Sequence, residues 1–400
     1  MNPETSPKTS VLTFPQKVKT ILVIIIAGLL LLVYIWRIPL SSTLIRFGNS
    51  QYSVENNVMG MAGYKLALIL NHKLKVTVNQ CQSANNQQQF EQAISYCSEA
   101  IEIEPNYAWA YFSRGNANLR LKRYEQAIVD FTKDIEIIPV ATRSYINLGA
   151  VYMEQSQYEL AIHEFTQSID INPKEPQAWL NRGLAYIQQG QNDLAVFDCN
   201  KAIELESKYW NAYYCLGLAF SALEKPEMAI ENLSKSIELN PNVQLSYFTR
   251  GLVYDAQGDK DLAVADYTKT IELDPSYSKA YAYRGAIYIA QKNYVLAFSD
   301  LNRAIEIEPN YADFYTWRGN AFADTKKFNQ AIADYQKALA LSNNVMAETS
   351  YTLCVQGITY TKMGSFDLAI TSLEQGVKLD TENEWCKMAL DNARQGIPTP

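Results

Sequence analysis

Histidine is nearly missing from this 400-residue chain: the only two, His72 and His163, lie in unrelated places. Catalytic arrangements built on an imidazole base are thereby all but excluded. Also missing are a Gly-rich phosphate loop, a His-Glu-x-x-His helix and a nucleophile elbow. No Cys-x-x-Cys spacing occurs among Cys81, Cys97, Cys199, Cys215, Cys354 and Cys386. A basic surplus is absent too. The net charge is −7, whereas a nucleic-acid partner wants a basic face. No metal, cofactor or small-molecule substrate is expected from this inventory.

What is present is a period. Gly115, Gly149, Gly183, Gly217, Gly251, Gly285 and Gly319 follow one another at 34 residues. Ala93, Ala127, Ala161, Ala195, Ala229, Ala263, Ala297 and Ala331 keep the same step. A fixed period in this range marks a solenoid. In Ser278–Tyr311, Tyr281, Gly285 and Tyr288 fall on one helical stripe and Ala297, Leu301 and Ala304 on a second. Gly285 and Ala297 are small where a core wants bulk, so the two helices should cross there at close range. Pro309 then stops the second helix. One such hairpin cannot cover its own apolar faces, but stacked neighbours can.

These residues resemble the tetratricopeptide repeat. Its marks are an aromatic at position 4, Gly at 8, Tyr at 11, Ala at 20, an aromatic or Leu at 24, Ala at 27 and Pro at 32. Tyr281, Gly285, Tyr288, Ala297, Leu301, Ala304 and Pro309 satisfy all seven. The unit at Pro176 keeps Trp179, Gly183, Tyr186, Ala195 and Ala202, with Cys199 at position 24 and Ser207 in place of Pro. The resemblance runs over residues 74–383. It implies an all-α, right-handed α-solenoid of antiparallel helix pairs.

The expected order is a tail at 1–19, a transmembrane helix at 20–40 and a polar tether at 41–57. A degenerate capping repeat at 58–107 follows, then eight repeats at 108–383 and a capping helix at 384–396. Thr20 to Trp36 is an uncharged apolar run of 17 residues, extended by Ile38 and Leu40; it is long enough to read as a single bilayer span. Tyr34 and Trp36 suit the interface. No small-residue cleavage site follows, which argues against a removed signal. Lys8, Lys17 and Lys19 precede the run and Arg37 and Arg46 follow it. That margin favours repeats on the extracytoplasmic side. Residues 58–76 read as the first helix of a capping repeat, or as an amphipathic helix placing Lys65, His72, Lys73 and Lys75 near lipid headgroups. The step from Gly319 to Gly357 is 38, and a longer loop is expected around Asn343–Glu348. Thr381 or Asp380 should cap the last helix, with Trp385, Met388 and Ala389 as its apolar stripe.

Arg114, Arg182, Arg250, Arg284 and Arg318 occupy position 7; Asp130, Asp198, Asp266, Asp300 and Asp334 occupy position 23 of the same units. The other units carry neither: Leu148 with Glu164, Leu216 with Asn232, Gln356 with Ser372. Coupled presence predicts a salt bridge across each hairpin. Cys97 and Cys199 occupy position 24 and read as buried apolar thiols. In an oxidising space Cys81–Cys97 or Cys199–Cys215 could pair, provided their Cα atoms lie within 7 Å.

The resemblance further implies a concave groove lined by first helices. It would be formed here by Trp109, Phe112, Asn116, Asn147, Leu180, Asn181, Leu184, Tyr214, Leu218, Phe248, Leu252, Tyr283, Trp317 and Asn320, about half of them open to solvent. Aromatics would take the side chains of a peptide and asparagines its backbone. Phe112, Asn116, Asn147, Gln177 and Asn181 stand where related clamps carry basic residues, so a chaperone-tail clamp is not expected. The reading is a membrane-anchored scaffold for protein or peptide partners, similar to bacterial membrane assembly factors. The alternatives are an organelle-surface docking receptor for chaperones or preproteins, or the regulatory arm of a separately encoded enzyme.

Overall fold

The computed structural model describes residues 40–49, 57–342 and 346–399. The expected membrane span falls outside them except for Leu40. Among the described residues no helix is long and apolar enough to cross a membrane. The chain forms two compact units, one ending at Gln191 and the other starting at Asn192. Both are all-α.

In the first unit His72–Asn86 pairs with Phe90–Ile103, Ala108–Arg120 with Tyr124–Ile137, and Thr142–Glu154 with Tyr158–Ile171; Pro176–Gln188 ends the series. The second opens on Asn192–Leu205. Its pairs are Trp210–Ala222 with Pro226–Leu239, Gln244–Gln257 with Lys260–Leu273, Ser278–Ala290 with Tyr294–Ile307, and Ala312–Asp324 with Phe328–Leu341. Met346–Lys362 with Phe366–Leu379 is the last, followed by the single helix Glu384–Arg394. First helices begin at Ala108, Thr142, Pro176, Trp210, Gln244, Ser278 and Ala312, the unit starts read from the sequence.

The hairpins close by two recurring devices. At position 8 the glycine lies under the position-24 side chain: a Cβ on Gly149 would come within 2.5 Å of Phe165 Cε1, and one on Gly319 within 2.6 Å of Tyr335 Cε1. At position 15 the turn needs a left-handed residue. Gly190, Gly258 and Gly364 provide it in three units, but Gln88, Lys122, Ser156, Glu224, Lys292 and Lys326 adopt φ of 55–59° in the other six. Successive units are tied by the position-4 aromatics. Tyr111, Tyr145 and Tyr315 donate to the carbonyls of Pro105, Pro139 and Pro309, and Trp179 Nε1 to that of Pro173.

The ends depart from expectation. The tether region is helical over 40–49, with Ile45 fully buried in a cluster that includes Ala67, Leu74 and Tyr107. The first repeat's leading helix is His72–Asn86, whereas 58–76 was expected. Asn57–Leu70 is an additional helix, broken from the next at Asn71, whose side chain accepts from Leu74 N. The excess residues after Gly319 do not all form a loop. Met346–Lys362 has 17 residues and starts one turn ahead of Ser350. Asn383, neither Thr381 nor Asp380, caps the last helix by accepting from Cys386 N at 3.0 Å. Its buried stripe is Cys386, Ala389, Leu390 and Ala393; Trp385 and Met388 point outward.

Candidate functional site

The first helix of each hairpin carries the expected binding face, and the two units present it separately. In the first unit Leu180 is buried, while Trp109, Phe112, Asn116, Asn147, Asn181 and Leu184 are half-buried. Asn147 Nδ2 donates to Asn116 Oδ1 at 2.6 Å, so these amides engage each other across neighbouring hairpins. In the second unit Phe248 is buried and ringed by Tyr267, Tyr277 and Tyr283. Tyr214, Leu218, Leu252, Tyr283, Trp317 and Asn320 are half-buried. Tyr283 and Trp317 meet edge to face at 5.2 Å. None of the fourteen is fully exposed. Two surface depressions lie elsewhere in the first unit, one lined by Arg46, Asn49, Asn106, Lys133, Glu136 and Ile137 and the other by Asn79, Gln82, Ser83, Asn86 and Gln87.

Asn320 also supports the core. Its Oδ1 accepts from Tyr335 OH at 2.9 Å, and its Nδ2 donates to Tyr351 OH at 3.2 Å. Tyr267 occupies the position of Tyr335 two repeats earlier in the series, but Leu252 stands where Asn320 stands. Its buried hydroxyl finds no protein partner.

The Arg–Asp pairing holds in the four hairpins that lie within one unit. Arg114 Nη2 reaches Asp130 at 2.7 Å, Arg250 Nη2 reaches Asp266 at 2.8 Å, Arg284 Nε reaches Asp300 at 2.8 Å and Arg318 Nε reaches Asp334 at 2.7 Å. All four are forked contacts from Nε and Nη2. The remaining nitrogen does more than the sequence pattern revealed. Nη1 of Arg114, Arg182, Arg250, Arg284 and Arg318 donates to Ser98, Thr166, Ser234, Thr268 and Asn302 of the preceding hairpin. Those partners lie sixteen residues before each Arg, the same distance as Asp lies after it. The guanidinium therefore joins two hairpins. Aromatics flank it as well: Arg250 lies 5.8 Å from both the Tyr247 and the Tyr254 ring. These rows are structural and offer no free cation for an acidic ligand.

One titrating group breaks the repeat. Asp134 occupies position 27, where Ala recurs. It is buried, and although Ser144 Oγ donates to it, burial pushes its carboxyl from the model-peptide 3.8 up to about 7. The folded chain thus holds a proton that the unfolded chain releases, and this contribution to stability falls as pH rises through the window from about 4 to about 7. Asp134→Ala is expected to stabilise the protein, with little gain near pH 4 and the full gain above pH 7. Melting midpoints of both proteins across that range check it; a gain independent of pH would contradict it. In the hairpin of Leu148 and Glu164, one of those without the Arg, burial likewise raises the Glu164 carboxyl.

All six cysteines are paired: Cys81–Cys97, Cys199–Cys215 and Cys354–Cys386, with Cα separations of 5.3, 6.1 and 5.5 Å. The expectation of buried free thiols is thus corrected; burial is right, the free state is not. Cys81 sits in the slot of the position-8 glycine, against Cys97 at position 24. Cys354–Cys386 was not foreseen and joins the last hairpin to the terminal helix. Gly376 replaces the position-27 Ala beneath it, and a Cβ there would lie 2.7 Å from Cys354 Sγ.

Comparison with known proteins follows the same lines. Models described as tetratricopeptide repeat match residues 82–107, 96–129, 176–209, 210–243, 248–312, 312–345 and 350–383, and one described as TPR repeat matches 149–190. Together they span well over half of the chain. A search of curated proteins found no match. Among solved structures, the Cut9–Hcn1 hetero-tetramer of the APC/C is similar at 15% identity and TM-score 0.50, over 85% of this chain and 75% of that one. A tetratricopeptide repeat protein from Parabacteroides merdae is 18% identical with TM-score 0.49, over 60% of this chain and 95% of that one. YrrB, a TPR protein with an unusual peptide-binding site, is 24% identical with TM-score 0.37, over 49% and 97%. Identities this low speak to the fold alone. With hairpins in register with the 34-residue period and repeat models matching along nearly the whole array, this chain belongs to the tetratricopeptide-repeat family.

Proposed function

We propose that this protein is a scaffold that binds a segment of a partner protein along its first helices, held at a membrane by residues 20–40 with the repeats on the extracytoplasmic side. The observation that carries the binding reading is the half-buried row of the second unit. Tyr283 and Trp317 stack edge to face, and Leu218 and Leu252 precede them on successive hairpins. Rigid aromatics with an apolar body suit a peptide's side chains. The anchor rests on the uncharged run Thr20–Trp36. The side rests on the charge margin around that run and on three paired cysteine couples, since disulfides persist in oxidising spaces.

A photo-crosslinking residue in place of Trp317 tests the binding reading in cells that make the full chain. Adducts with a partner are expected there and not from Val295, an exposed site on a second helix. For the partner segment so identified, Trp317→Ala should weaken binding by about thirtyfold at a temperature where the variant is still folded, as removal of an interface anchor does. Equal adducts from both sites would refute the assignment of the face. Protease digestion of sealed vesicles decides the side.

A further inference from the structure

We infer that the additional helix Asn57–Leu70 lies against an anionic lipid surface, with Met61, Leu66 and Ile69 toward the acyl boundary and Lys65 among the headgroups. The inference rests on the anchor reading above and adds a second contact with the bilayer. One face of this helix is fixed to the protein. A Cβ on Gly63 would lie 2.9 Å from both Gly48 Cα and Leu44 O, so the helix backbone runs directly against the stretch 40–49. Tyr64 packs edge to face on Tyr107 at 5.4 Å, and Ala67 is fully buried. The other face has no protein over it among the described residues. Met61 is 46% exposed, Leu66 50% and Ile69 69%. With the exposed Lys65 they follow helical spacing on a single stripe.

Two arguments name the occupant. The first is charge. From Leu40 to Phe90 the basic residues are Arg46, Lys65, Lys73 and Lys75 and the only acidic one is Glu55, in a chain whose net charge is −7. Lys73 is 70% exposed and only loosely paired with Glu99 at 3.4 Å. The helix itself carries Lys65 and no acid, and an apolar helix with a surround biased to positive charge is suited to an anionic interface. The second is reach. The uncharged run ends at Trp36, and the stretch that carries Gly48 and Leu44 begins at Leu40. Four residues span at most about 14 Å, so a bilayer holding that run keeps the stretch, and the helix packed on it, at its surface.

The test uses the full chain in lipid nanodiscs containing brominated lipid, with Ile69→Trp and, as control, Val295→Trp. Val295 is 81% exposed in the second unit. Emission is compared with that of the unaltered chain in zwitterionic and in anionic nanodiscs. The expected result is that bromine removes most of the emission added by Ile69→Trp, more in anionic than in zwitterionic discs, and none of that added by Val295→Trp. Emission from Ile69→Trp that bromine leaves untouched overturns the inference; shielding from aqueous iodide as well would show that another part of this chain or a second copy covers the stripe. Equal quenching in both lipids overturns the anionic preference. A chain that fails to enter the discs at all, with no quenching of native tryptophan, removes the anchor reading and this one with it.

Discussion

Asp266→Ala should lower the stability of the second unit by about 3 kcal/mol, the scale for stranding one member of a buried ion pair. Asp266 is buried and takes two bonds from Arg250, each of 2.8 Å. Without it, the guanidinium stays wedged between Tyr247 and Tyr254 and keeps only Ser234 as a hydrogen-bond partner. Replacing both members, Arg250→Leu with Asp266→Leu, should recover much of that loss, since an apolar pair of similar volume is often neutral. The last hairpin already runs this experiment in part: Ser372 Oγ donates to Gln356 Oε1 at 3.2 Å in the same two positions. Urea midpoints of the wild type, the single variants and the double variant decide the point. A double variant as unstable as Asp266→Ala alone would mean that loss of the pair itself, rather than the stranded charge, sets the cost; additive losses would mean that the two residues are not coupled at all.

Opening Cys354–Cys386 should produce a change of similar size in a different place. The bond closes a loop of 32 residues, for which the chain-entropy scale is about 4 kcal/mol. Glu384–Arg394 packs on the final hairpin, and end elements of a repeat array lose their structure first. Cys354→Ser with Cys386→Ser is therefore expected to speed amide exchange in Glu384–Arg394 and Phe366–Leu379 well before Gln244–Gln257 responds. Gly376→Ala should mimic part of this, because its methyl would press on both sulfurs. Mass measurement after alkylation gives the companion result: no cysteine labelled until reductant is added, then all six. Labelling of the unreduced protein at Cys354 and Cys386 in denaturant would sink the prediction, since both are buried in the native fold.

The hairpins and their register were legible in the sequence because they rest on spacing within a single chain direction. Gly at position 8 and Ala at position 20 mark where two helices touch, and those contacts recur every 34 residues. The Arg–Asp bridge was legible because its members co-occur within a unit. Its link to Ser98 or Ser234 was not, since serine and threonine at position 25 look like ordinary solvent-facing residues. Asp134 and Gly376 both stood in the alanine column at position 27. Each signalled something local, a buried acid in one case and a disulfide overhead in the other, but only the fold supplies the neighbour. The binding face was harder. Helical spacing fixes the direction in which Phe248 points, but not how deeply Tyr267, Tyr277 and Tyr283 cover it. Stretch 40–49 escaped notice because its burial depends on glycines, Gly48 against Gly63, that carry no hydrophobic pattern.

The left-handed turn residues have a further effect. A side chain at φ near 57° costs roughly 1–2 kcal/mol relative to glycine, and six of the nine turns carry one. Left to itself, each of those hairpins would tend to spring apart at its bend. Its neighbours clasp it shut. Unlike a string of independent beads, the array should therefore resist shortening badly: deleting a terminal repeat would loosen the bend of the next one inward, and trimmed versions should melt earlier than their length alone implies.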